Sequence, residues 1–364
     1  MTINKLTKNS SLKRITGSFT DISATTFSSP TATVLTPGNG YTYYVWKTVG
    51  NHTLTAQIQS LVKTWSKSNV IGTVLSTTNT TTAPGHVLVV GGGGGGWNWE
   101  GGGAGGIVQH PSYNTIPIHP SGVSITVGGG GIGFRSVSNP YASVPTNTNG
   151  VTSRFGNLIG VGGGSACPTN ADATWGNGCG GSNETANQPT VTHPGSNPNY
   201  TNYGFPGGSY VYYSAGGAGG TGAAGPNGNS SGYTNGSNAP TAGGAGAPFP
   251  AFPYSIIGVN PDPSSGPGNH YGGGGGSGSG ADGWVNNSGS PGLPGGVGGG
   301  GSSGKHNGGN CHPGLCASNA GGNGINNLGG GGGGISGGNV DGGDGGSGLV
   351  VLRVSVWYNI NYTY

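Results

Sequence analysis

Charge is nearly missing from this chain: charged residues make up 5% of it, eleven basic against eight acidic. Disordered tethers are usually rich in charge and poor in aromatics, yet 7 Trp, 16 Tyr and 7 Phe are present. The reading is a folded body. Long apolar runs are missing too. No stretch approaches the roughly 20 residues of a membrane span, and no apolar leader opens the sequence. The expectation is a protein made in a cytoplasm that leaves, if at all, by lysis or assembly. A sustained helical period is absent, and hydrophobic residues reach only 31%, below the usual share. An ordinary apolar core cannot be the sole support.

Paired carboxylates and nucleophile motifs are lacking as well. The eight acids are scattered, and no G-x-S-x-G elbow or H-E-x-x-H occurs. No enzyme activity and no cofactor are expected. Gly91–Gly96 satisfies the dinucleotide fingerprint only because six glycines satisfy any glycine pattern. No helix is predicted after them, and no acid lies between Glu100 and Asp172. Gly299–Lys305 has phosphate-loop spacing, but His306 stands where Ser or Thr should hold the metal. Asp341-Gly-Gly-Asp344 is one copy of a pattern that needs several to complete a calcium shell; it reads as a polar tight turn, and no metal is expected. Seven of the eleven basic residues (Lys5, Lys8, Lys13, Arg14, Lys47, Lys63, Lys67) fall within residues 1–67, beside one acid, Asp21. That excess steers towards an acidic partner or is a solvated face. It is too sparse for a nucleic-acid groove.

What fills the chain is glycine, 88 of 364 residues. The pattern centres on His86-Val-Leu-Val-Val90 running into Gly91–Gly96. It returns at Leu158-Ile-Gly160 before Gly162–Gly164, and reversed where Gly345–Gly348 enters Leu349–Val354. Short β-branched runs bounded by turn-formers read as buried strands. Val70–Leu75, Val123–Val127 and the pair flanking Gly50-Asn51 join them, while 56–67 is open between helix and strand. The glycine spacing is not the strict triplet of collagen. A folded polyglycine tract takes the extended polyproline II form, three residues per turn with no internal hydrogen bond. Its N–H and C=O groups then need partners outside the tract, and without Cβ atoms neighbouring tracts supply them. The expected class is all-β, sandwich- or jelly-roll-like strands framing stacked polyglycine II helices. The expected organisation is an attachment segment (1–39), a β region (40–90), the glycine-rich body (91–357) and a tail (358–364).

Aromatic insertions interrupt the glycine: Trp97 and Trp99, Tyr141, Trp175, Tyr200 and Tyr203, Tyr212 and Tyr213, and Tyr271. Tyr and Trp among Asn, Ser and Gly are the side chains of adaptable binding surfaces. These nine are the candidate receptor-binding residues, the alternative being packing at lattice ends or on neighbouring subunits. Cys167/Cys179 and Cys311/Cys316 are two local pairs, open between loop-closing disulfides, free thiols and a loosely spaced zinc site.

The order VLVVGGGGGG, GGGAGGI, VSITVGGGG, SRFGNLIGVGGG and closing GGDGGSGLVVLRV resembles the glycine-rich domain of phage tail-fibre and receptor-binding proteins over residues 41–357. The resemblance implies stacked polyglycine helices whose loops meet a host receptor. It also implies a virion protein that forms a homo-oligomer (a trimer in a fibre), joins other virion proteins through its N-terminal segment, and binds a host-surface glycan or protein. A capsid decoration, head fibre or filament subunit is the alternative. Neither nucleic acid nor membrane insertion is expected.

Overall fold

The computed structural model describes residues 25–58, 62–67, 70–75, 82–83, 85–97, 100–110, 116–117, 122–135, 148–165, 201–208, 215–228, 241–259, 269–278, 293–304, 320–335 and 340–355. It is nearly all β, as the strand pattern predicts. One antiparallel sheet joins β1 (Thr25–Ser28), β4 (Gly50–Ile58), β11 (Val123–Val127), β12 (Ser153–Phe155) and β13 (Leu158–Gly160) in that order. A six-stranded sheet has the order β14 (Thr201–Tyr203), β9 (Ile107–Gln109), β8 (Gly85–Val90), β17 (Leu349–Ser355), β3 (Tyr41–Trp46), β2 (Thr33–Leu35). Smaller pairs are β5 (Val62–Lys67) with β6 (Val70–Leu75), β7 (Thr82–Ala83) with β10 (Ile116–Pro117), and β15 (Ala247–Pro248) with β16 (His270–Tyr271). One helical turn, α1 (Tyr254–Ile257), ends at Gly258, whose left-handed backbone lets its amide close on Tyr254 O. Within the stretch 56–67, strand prevails over helix: β4 ends at Ile58 and β5 begins at Val62.

The six-stranded sheet is buried on both faces, and its sequence shows why. Val87, Val89, Val350 and Leu352 point to a core shared with Leu54, Ile125, Val127 and Phe155 of the five-stranded sheet. Leu88, Val90, Leu349 and Val351 face the other way, onto Phe249, Phe252, Tyr254, Ile257 and Tyr271. A strand covered on both sides reads as a continuous apolar run. The five-stranded sheet instead alternates: His52 and Leu54 point in, while Asn51, Thr53 and Thr55 are exposed. This corrects one expectation. The two strands flanking Gly50-Asn51 do not pair with each other. β3 carries large residues on both faces and pairs with β17, whereas β4 has one polar face and joins the other sheet, with Lys47–Val49 crossing between them.

The glycine tracts form a lattice, and its geometry follows from a three-residue turn. The amides of Gly91 and Gly94 donate to Gly106 and Gly103. Those of Gly92 and Gly95 donate to Val151 and Thr148, and those of Gly93 and Gly96 to Gly346 and Gly343, all at 2.8–3.1 Å. The partner changes at each residue and returns every third. The directions a Cβ would take repeat likewise: Gly91 and Gly94 towards 161–164, Gly92 and Gly95 towards 129–132, Gly93 and Gly96 towards 330–333. Six tracts therefore surround 91–96. The ring closes on itself through Gly150 to Gly163, Gly103 to Gly164, Gly102 to Gly332, Gly346 to Gly330, Gly345 to Gly131 and Val151 to Gly129, amide to carbonyl in each case. The same closed ring surrounds 330–335 and 272–278.

Position in the lattice explains where side chains occur. At the centre of a ring all three sides of the helix are covered, and 91–96, 272–276 and 329–334 are pure glycine. A peripheral tract has one open side, so every third residue can carry a side chain. Examples are Thr148 and Val151, Ala242 and Ala245, Ala320 and Asn323, and Asp341 and Asp344. Where tracts end, hydroxyls take over: Gly128 N–H donates to Ser153 Oγ at 2.9 Å and Ala247 N–H to Thr221 Oγ1 at 2.8 Å.

This packing can be tested at two positions. A Cβ on Gly93 would collide with the Gly330 carbonyl, whereas one on Gly129 meets only Val49 Cγ1 at 3.6 Å. Gly93→Ala should cost about 3 kcal/mol, while Gly129→Ala should stay within about 0.5 kcal/mol of the parent; denaturant melts of both compare them. A second test concerns His86, which lies opposite Arg353 across the β8–β17 pair. Burial first, then the charge of Arg353 and the neighbouring His110, hold its pKa below the ordinary 6.5. In that window the unfolded chain binds more protons than the folded one. Stability is full above 6.5 and falls as pH drops below it. Melts at about pH 7.5 and about pH 5.5 should show this slope in the parent and a flatter one in His86→Gln.

Candidate functional site

Chain direction gives the lattice two different ends. From β8, β11 and β13 the chain runs outward along 91–96, 128–135 and 161–165; along 101–106, 148–152 and 340–348 it returns to β9, β12 and β17. The bonds respect these directions. Gly91 pairs with Gly106 and Gly94 with Gly103, antiparallel, while Gly331 with Gly273 and Gly334 with Gly276 run parallel. One end is therefore anchored in the sandwich. The other is where the outward tracts finish, and it is the candidate interaction surface.

The described part of that remote end has a built cluster. Trp97 N–H donates to Glu100 O at 2.9 Å and Glu100 N–H to Trp97 O at 3.1 Å, closing a tight loop at the tip of the central tract. The half-buried Trp97 ring stands edge-on to Phe134, 6.0 Å between centroids. Phe134 is fixed there because its amide donates to Gly96 O and its carbonyl accepts from Gly342. Next to it, Arg135 Nη2 pairs with Asp344 Oδ1 at 2.5 Å, each side chain 38% exposed. Arg135 Nη1 also reaches Gly342 O at 3.2 Å, and Gly133 N–H donates to Asp344 Oδ1 at 2.7 Å. The partly exposed guanidinium and carboxylate place hydrogen-bond donors and acceptors beside this ring pair.

The nine predicted receptor-binding residues divide. Trp97 is at this end. Tyr203 is at the opposite one, on the edge strand β14, its hydroxyl donating to Gln109 Oε1 at 3.3 Å and its ring edge-on to Phe249 at 4.9 Å. Tyr271 is a correction. It is fully buried beneath the six-stranded sheet, its hydroxyl donating to Phe252 O at 2.6 Å, and burial pushes its pKa well up. Pairing of β16 with β15 points this ring into the apolar layer, where no receptor reaches it. Trp99, Tyr141, Trp175, Tyr200, Tyr212 and Tyr213 lie outside the described residues, as do Cys167, Cys179, Cys311 and Cys316.

Asp341 and Asp344 are also placed differently from expectation. They belong to an extended lattice tract, not a tight turn: Gly321 and Gly324 donate to their carbonyls at 3.0 and 2.7 Å. Sequence reading missed Phe134 and Arg135 altogether. The available signal was the spacing Ile132-x-x-Arg135 on a tract whose opposite sides are glycine. Gly299–Lys305 starts in a turn and continues as a lattice tract through Gly304, with neither strand before nor helix within the described part.

Among the described residues no helix is long and apolar enough to cross a membrane. Comparison with curated proteins finds no match. A family profile described as a glycine-rich domain matches residues 68–355, from just before β6 to the end of β17 and well over half of the chain. The matched span holds all three closed rings of glycine tracts, and the chain belongs to this glycine-rich domain family.

Proposed function

We propose that this chain is a non-enzymatic virion structural protein, a phage tail-fibre or adhesin component that holds aromatic loops against a host-surface glycan or protein. The observation that carries this reading is the polarity of the lattice. The tracts flanking 136–147 and 209–214, and the tract 161–165 that leads into 166–200, finish at the end remote from the sandwich. These segments contain Tyr141, Trp175, Tyr212 and Tyr213, whereas Tyr200 directly precedes β14 at the sandwich end. A scaffold bonded through its backbone fixes where such segments start and finish, which lowers the ordering cost of binding. Trp97 and Phe134 add a ring pair at the same end.

A structural building block, such as a capsid decoration, head fibre or filament subunit, is the second reading, and one observation favours it. β1 and β2, from the N-terminal stretch, are edge strands of the two sheets. An open edge invites pairing with a neighbouring chain. In either reading the chain works as a homo-oligomer, a trimer in a fibre, joined to other virion proteins through its N-terminal segment.

Binding of the labelled chain to a panel of bacterial cells and their surface polysaccharides separates the two. For an adhesin, some cells are bound, Tyr141→Ala with Trp175→Ala loses about tenfold or more in affinity, roughly the 1.4 kcal/mol of a lost ring contact or better, and Thr53→Ala on the five-stranded sheet, at the sandwich end, changes nothing. Absence of binding across the panel, or equal losses from both sets, would leave the building-block reading in its place.

A further inference from the structure

The chemistry of the lattice has no intrinsic size limit, because any outer tract presents the same extended backbone that its inner side bonds to a neighbour. Yet among the described residues the lattice stops. Tract 128–134 has as its outward third Gly129 and Ile132, followed by Arg135. Val49 Cγ1 lies over Gly129, Ile132 is 50% exposed, and Val151 on the adjoining tract is 54% exposed. The Gly129 amide has no partner among the described residues. Inside the lattice a Cβ at almost any position would strike a backbone carbonyl. A side chain on an outer tract therefore keeps a further tract from docking.

We propose that the outward side chains at every third position close the lattice against other copies of this chain, and that a second copy is the partner a bared tract would take. The occupant follows from the internal packing. What fits a polyglycine side without a gap is another polyglycine side, in either direction, since parallel and antiparallel neighbours both occur here. The inference rests on the lattice alone and is independent of the adhesive reading.

The obvious competing account is an apolar docking patch of Val49, Ile132 and Val151, and it predicts the opposite sign. Exposed apolar patches promote association, so stripping one should reduce it. Closure predicts that stripping these side chains down to hydrogen creates association, and that stopping at a methyl does not. The experiment is sedimentation velocity over a concentration series on the full chain. It compares the parent with Val49→Gly/Ile132→Gly/Val151→Gly and with the same three positions changed to Ala.

The expected result is at least a doubling of weight-average mass for the glycine variant, with the alanine variant matching the parent. Three results would overturn the proposal: a glycine variant of parental mass, association of glycine and alanine variants alike, or a lower mass in both. If the glycine variant lacks the parental melting transition, Ala242→Gly/Ala245→Gly takes its place under the same criterion. That pair removes only two methyl groups from another partly exposed outer tract.

Discussion

Every backbone N–H and C=O shut inside a close-packed array must be bonded there, because leaving one unpaired forfeits its hydration without return. In most proteins helices and sheets meet that demand and side chains fill the space between them. Here a polyproline II tract bonds nothing within itself, so each residue turns its polar groups to a different neighbour. Six neighbours surround tract 91–96, and every one of its amides is bonded to them. The result is an interior whose cohesion comes from backbone hydrogen bonds, with glycine C–H groups close against neighbouring carbonyls, in place of buried apolar side chains. It is closed to any residue with a Cβ at its centre. Low hydrophobicity and folded order are compatible in this chain for that reason.

Such a lattice needs its tracts brought into register, and the sandwich does this. β8 runs directly into 91–96, and 345–348 runs directly into β17. The pairing of Val90 with Leu349 fixes both entry points. β11, β12 and β13 do the same for 128–135, 148–152 and 161–165. Strand registers set by apolar packing on two faces are costly to slip, so tracts with no side-chain code of their own inherit an alignment from residues that have one. Turns at Gly298–Gly299 and Gly329, with left-handed backbone, reverse the remaining tracts. These reversals at the sandwich end are short turns.

Much of this was legible. Strand-to-glycine junctions predicted β8, β13 and β17. The absence of Cβ atoms predicted lateral bonding, and the continuous Val-Leu-Val-Val run predicted a buried strand. What was hidden was pairing at a distance. Nothing local in Tyr41–Trp46 says that it joins the last strand and not its neighbour Gly50–Ile58, although aromatics on both faces of the first and a polar face on the second do distinguish their sheets. Tyr271 looked like a surface ring because His270 and glycine flank it, yet β15, over a score of residues away, draws it into the core. The Arg135–Asp344 pair was illegible because its partners meet only through the lattice. The triplet spacing of Asp341 and Asp344 was visible, and its meaning, one open side of a three-residue turn, required the packing around it.

Whether the glycine amides are bonded in solution decides between a lattice and a set of tethers. Hydrogen exchange read by NMR, residue by residue, measures this directly. A bonded lattice predicts that Gly91–Gly96, Gly272–Gly276 and Gly331–Gly334 exchange as slowly as Leu349–Val354 at the centre of the six-stranded sheet, opening only with global unfolding. Exchange of those glycines at the rate of unprotected peptide, while Leu349–Val354 stays protected, would contradict it.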